Sequence, residues 1–232
     1  TRRYRAQALH LFSCHTRFWR EHVRNSADGE REAWRVGLET GELEFGSYGG
    51  HVASKYSFFY GQELGGLLTE IEHYTSAMRR AHNQLALTSH LPWHQAVHNL
   101  TQPGPEPWRL AGPVLDAAAS HDELAAAGNR MAISNTLLAQ LILAHLFGRK
   151  DEAIAYADAG AAYLDAVLSQ FNQPMHVFFD ALARLAVIPA GSTEAEAALK
   201  PVDDGLAKLR AWAEAAPVNF AQKVALIEAE RA

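Results

Sequence analysis

The chain has 232 residues, 48% apolar and 20% charged, enough for one large or two small globular domains. Its net charge of −5 is too mild to imply a nucleic-acid or membrane-surface partner, although residues 1–35 alone carry eight Arg against four acids. A single cysteine, Cys14, excludes an internal disulfide and fits a reducing cytoplasm, and the longest strongly apolar run, near 137–147, is too short to span a bilayer.

Taken in order, the residues predict helices throughout and no segment alternates long enough for a sheet. A first helix over 4–24 gathers Tyr4, Leu11, Phe12, His15, Phe18, Trp19 and Val23 on one side, and "NSADGE" should break it. A second, over 29–39, should stop at Gly41 through a glycine cap. Further helices follow over 42–59, 63–81 and 83–100, the last kinked or restarted at Pro92. The one long loop, "TQPGPEPWRLAGP", should pack through Trp108 and Leu110 and leads to a short helix over 114–127.

Residues 128–168 read as a helical hairpin. Ile133, Leu137, Leu138, Leu141, Ile142 and Leu146 form a bulky stripe, Gly148 turns the chain, and Asp151 is the expected N-cap of a small-faced partner helix. Pro174 should open a ninth helix, Thr193 and Glu196 a capping box for the tenth, and Pro217 the last. Gly61, Gly104, Gly148 and Gly191 recur at steps of 43, 44 and 43 residues. A period near 43 falls in the range of paired-helix solenoids. The expected fold is therefore all-α: an α-solenoid of paired antiparallel helices, a tetratricopeptide-like superhelix of about 11 helices forming one domain over 1–232. The start lacks an initiator Met and any signal-peptide pattern, and we expect a piece of a longer protein.

Five segments carry a resemblance: "GLETGELEF" (37–45), "LILAHLFG" (141–148), "YLDAV" (163–167), "FFDALARLAV" (178–187) and "WAEAAPVNFAQKVALIEAE" (212–230). Together they resemble the tetratricopeptide-like region of large bacterial signalling proteins. Those proteins combine a serine/threonine kinase, an AAA-type ATPase, this helical region, a GAF domain and a histidine kinase. The resemblance implies a regulatory or interaction scaffold between the ATPase and the GAF domain. It carries over no catalytic residue.

The chemistry is sparse. Phosphate-loop, dinucleotide, nucleophile-elbow and zinc-protease motifs are missing, so no cofactor is expected. His90, His94 and His98 share a helical face, where imidazoles can hold a divalent ion. No acid or cysteine nearby in sequence completes the shell, so a polar groove wall is the stronger reading. Cys14 reads as a core thiol rather than a nucleophile. Candidates for a partner or ligand groove are His51, Lys55, His94, His98, Asn135, Gln140 and His145. The expected function is a non-catalytic, cytoplasmic regulatory region that binds a protein or peptide partner, or flanking domains of its own chain. The first alternative is a small-molecule sensor domain of an ATPase-type transcription regulator; a weaker one is a metalloenzyme built on the histidine cluster.

Overall fold

Apolar side chains at three- and four-residue spacing become eleven α-helices among the described residues, with no strand beyond one isolated bridge between Ala111 and Asp116. The structure, a computed structural model, describes residues 4–188 and 195–231, with the backbone alone for 195–198. The helices are α1 (Arg5–His15), α2 (Val23–Thr40), α3 (Leu43–Tyr60), α4 (Leu64–Arg80), α5 (Gln84–Thr101) and α6 (Ala117–Ala126). After them come α7 (Arg130–Leu146), α8 (Lys150–Ala161), α9 (Asn172–Leu185), α10 (Ala195–Ala215) and α11 (Pro217–Arg231). None is long and apolar enough to cross a membrane, among the residues described.

Odd-numbered helices pack on one another in succession, from α1 to α11, and the even-numbered helices lean on their odd neighbours from outside, α6 chiefly on α7. This is the paired-helix solenoid. From α3 onward the inner helices begin at Leu43, Gln84, Arg130, Asn172 and Pro217, steps of 41, 46, 42 and 45 residues, so the repeat is real but uneven. Gly61 and Gly148 close α3 and α7 with φ of +82° and +69°, and Gly41 and Gly128 do the same for α2 and α6. Gly104 lies in the long loop after α5 without a positive φ, and Gly191 lies outside the described residues.

The inner wall curves until the two ends of the array touch. Asn219 on α11 accepts from the Val23 amide at 2.9 Å and donates to the carbonyls of Phe18 and Glu21, each at 2.7 Å. Phe18, Phe171 and Phe220 meet there, with ring centroids 5.2 Å (Phe18–Phe171) and 5.6 Å (Phe171–Phe220) apart, and Trp19 lies against Phe220 and Trp212. Aromatic side chains therefore fill the axis that an open solenoid would leave as a groove. The main apolar cluster is continuous from Cys14 to Ile227.

Several local expectations need correction. "NSADGE" does not break a helix; it lies inside α2, and the break falls at Thr16–His22 around a short 3-10 turn at Arg17–Trp19. Small residues there serve close packing instead: a Cβ on Gly29 would sit 2.2 Å from Ser13 Oγ of α1. Asp151 lies inside the first turn of α8, whose N-cap is Arg149, and that helix ends at Ala161 rather than near Leu168. α5 continues through Pro92, and α9 starts at Asn172 with Pro174 in its first turn. The Thr193–Glu196 capping box lies outside the described residues.

Candidate functional site

The inner helices leave one histidine-lined cavity of about 400 Å³. α1 supplies His10 and His15, α3 supplies Phe45, Tyr48, His51 and Val52, α5 supplies Leu85 and Ser89, and α7 supplies Met131. The connection from α8 to α9 adds Asp165, Leu168 and Gln170. A volume of this size is in the range of small-molecule pockets. Four of its lining side chains, Leu11, Leu85, Met131 and Leu168, are between 37% and 60% exposed, which makes an apolar mouth.

Beneath the mouth the surroundings are polar and buried. Glu30 of α2 reaches His10 Nδ1 at 2.9 Å. Burial pushes Glu30 well above the usual carboxylate range. It also pulls His10 down to about 4, with help from the charges of His15 and Lys55. Burial thus disfavours the charged form of both partners of this contact. Burial holds His51 well below the ordinary histidine value too, reinforced by Lys55, His90 and His10. Lys55 is fully buried; its Nζ donates to Gln170 Oε1 at 3.0 Å and lies 5.6 Å from the Tyr56 ring centre. Burial lowers it to about 8, opposed by Cys14 and Glu30.

The residues expected from sequence to face a groove are distributed otherwise. His51 lines the cavity and Lys55 supports it from beneath. Asn135 is fully buried as a strut: it accepts from Trp93 Nε1 at 2.9 Å and Asn172 Nδ2 at 3.0 Å, and donates to the Met131 carbonyl, which ties α5, α7 and α9 together. His98, Gln140 and His145 are half-buried on helices α5 and α7, away from the cavity lining. His145 rests edge-on against Phe179.

The histidine row of α5 does not converge. His90 Nε2 approaches the Ile71 carbonyl at 3.3 Å, while His94 Nδ1 pairs with Thr75 Oγ1 at 2.8 Å. Two of the three rings are thus used to dock α4. Among the described residues no three His, Cys, Asp or Glu side chains are placed to hold a metal ion. Cys14 is buried at the base, its thiol pushed up to about 12 by burial, which suits a core position and not a nucleophile.

Four residues of the site escaped the sequence reading: His10, Glu30, Ser89 and Gln170. Glu30 had a signal. It falls on the face of Val23, Ala27 and Trp34, where an acid interrupts an apolar stripe. Breaking the helix at 25–30 concealed that face. Ser89 was masked by its histidine neighbour, and Gln170 sits in an irregular connection with no periodicity to read. Comparison of the chain with protein-family models, with curated proteins and with solved structures finds no match.

Proposed function

We propose that this chain is a non-catalytic, cytoplasmic sensor domain: a small molecule enters the cavity between α1, α3, α5 and α7, and its binding biases the packing of the inner helices. Domains fused to the array, ATPase or kinase domains in the family the sequence resembles, would read that bias, since a ligand shifts an equilibrium by its differential affinity for the two states. The observation that carries the reading is His51, which lines the cavity with neither ring nitrogen partnered among the described residues. A buried polar group left unpaired costs about 1–3 kcal/mol, a cost that an occupant removes. Peptide recognition along a groove has less support, because only His98, Gln140 and His145 of its candidate side chains reach the surface.

The test plugs the mouth. Ala166 is half-buried at the cavity rim, so Ala166→Trp should obstruct entry without opening the core. A small-molecule library is screened by thermal unfolding against the chain and this variant. The reading expects compounds that stabilise the native chain and leave the variant unmoved. Stabilisation equal in both, or none in either, counts against it.

A further inference from the structure

Five of the side chains around the cavity are flat rings, and four of them are packed on one another. His10 of α1 has its ring centre 5.7 Å from Tyr48, 6.2 Å from Phe45 and 6.5 Å from His15, and Phe45 meets Tyr48 edge-on at 5.9 Å. His51 continues the wall along α3. Ring pairs favour centre distances of about 4.5–7 Å, so this wall is built at the spacing that one more ring would adopt. Phe45, Tyr48 and His15 are half-buried, which leaves ring surface open. Leu11, Leu85, Met131 and Leu168 add exposed hydrocarbon at the mouth, and the Met131 thioether is itself a favourable neighbour for a ring.

The second observation is that the polar groups able to anchor a charge are spent on the protein. Asp165, the one carboxylate of the lining, is bound by Arg130 at 2.5 Å. The Tyr48 hydroxyl donates to Glu44 at 3.0 Å, and His10 Nδ1 lies 2.9 Å from Glu30. Lys55 is not part of the lining; Gln170, which is, accepts its hydrogen bond at 3.0 Å. Burial also disfavours charge on the three histidine rings of the lining, His10, His15 and His51. A charged ligand would leave water for this interior without a partner of opposite sign, whereas a neutral ring escapes that cost. Size is the third observation. An apolar cavity of about 150 Å³ holds one benzene, so about 400 Å³ has room for two fused rings.

Resting on the sensor reading above, we infer that the cavity takes a neutral two-ring aromatic molecule, packed on His10, Phe45 and Tyr48 and covered from the mouth by Leu85, Met131 and Leu168. The ligand extends the ring cluster of α1 and α3 by one more member. It also covers apolar side chains that otherwise face water. An aliphatic molecule of the same size would gain that burial and forgo the ring-on-ring contacts.

Calorimetric titration of the chain with 2-naphthol, decahydro-2-naphthol, 2-naphthoate and 2-naphthylmethylammonium separates ring character from charge. 2-Naphthol should bind at least tenfold more tightly than either ion. It should bind about threefold or more tightly than its saturated counterpart, which has the same carbon frame and hydroxyl. Phe45→Leu keeps the wall apolar and should remove most of the preference for the aromatic frame, and Ala166→Trp should abolish 2-naphthol binding. Either ion binding as tightly as 2-naphthol overturns the neutral assignment, and equal binding of the saturated alcohol overturns the aromatic one; in both cases the pocket reading stands. 2-Naphthol binding unchanged in Ala166→Trp overturns the inference too, because the ring then lies elsewhere. The four probes on the native chain decide the matter even where Phe45→Leu fails to fold. If no probe binds, this inference fails, and the sensor reading is judged separately by the library screen on Ala166→Trp.

Discussion

The two halves of the array share one helix arrangement and differ in what they bury. Around α7, α9, α10 and α11 the interior is largely hydrocarbon: Leu138, Leu141, Ile142, Leu143, Leu182, Val202, Leu206, Leu209, Phe220 and Ile227 are all buried. Its polar members are mostly satisfied, Asn172 Oδ1 on α9 being an exception among the described residues. His176 Nε2 donates to the Ala157 carbonyl at 3.0 Å, and Lys223 Nζ donates to the Asn219 carbonyl beneath two Phe rings. Around α1, α3 and α5 the interior instead holds His10, Glu30, His51, Lys55, His90 and His94. There His51, Ser89, one oxygen of Glu30 and Nδ1 of His90 lack partners among the described residues. The same scaffold is thus filled for stability on one side and kept partly unsatisfied on the other. Such local cost is expected where a structure is committed to binding rather than to holding itself together.

The largest effect should come from charging the apolar half. Leu141→Asp places a carboxylate at a fully buried position of α7, at a cost of several kcal/mol, on the order of the stability of a whole domain. Circular dichroism should show no cooperative unfolding transition at 25 °C. A native-like transition would mean that the apolar half tolerates charge as the polar half does, and the contrast would collapse.

Acid should single out the polar half. Burial holds His10, His90 and His94 at about 4, 3 and 4, against 6.5 in an unfolded chain. Between those values the unfolded state binds more protons, so stability is complete above pH 6.5 and falls as the pH drops toward 4. The loss over that window should be several kcal/mol, on the order of the stability of a whole domain, since each tenfold weakening of proton affinity corresponds to about 1.4 kcal/mol per group. Chemical denaturation at a series of pH values measures it, and His90→Phe should flatten the slope. A stability curve that is level from pH 7 to 4 would show these rings to be solvated.

A smaller effect tests the packing beneath the polar half. A Cβ on Gly37 of α2 would lie 2.6 Å from the Gly46 Cα of α3, backbone that cannot step aside. Gly37→Ala should cost about 1–3 kcal/mol, despite the better helix propensity of alanine. An unchanged or raised melting temperature would show that α2 and α3 can separate at little cost. The smallest effect has the opposite sign. His51→Phe removes two unpaired buried nitrogens and should raise stability by about 1 kcal/mol in urea titration. A loss instead would show that His51 holds the fold together, and its place in the polar half would need another reason.

Much of the scaffold was legible in the sequence. Leu43–Tyr60, Leu64–Arg80 and Gln84–Thr101 fall within a residue or two of their predicted spans, because apolar periodicity and glycine caps act locally. Gly41, Gly61, Gly128 and Gly148 are all left-handed caps, as turn glycines should be. What could not be read is where the solenoid goes after each turn. His51, Lys55 and Asn135 were assigned to an open wall on the premise that inner helices face solvent, and the curvature that buries them is a property of the whole array. Glu30 shows the remaining limit. Its position on an apolar stripe was visible, but its partner His10 lies 20 residues away on a helix packed against it, and no spacing rule spans that distance.

The contact of Asn219 with Phe18, Glu21 and Val23 has a kinetic consequence. An open repeat array can nucleate anywhere and grow by adding neighbours, so its ends fray independently. Here the closing hydrogen bonds join residues 196 to 201 positions apart. Their loop-closure entropy must be met before the aromatic cluster at the seam contributes, and contacts of such sequence separation slow folding. The chain should therefore assemble as a late-closing ring, with the α11 seam the last part to form and the first to open.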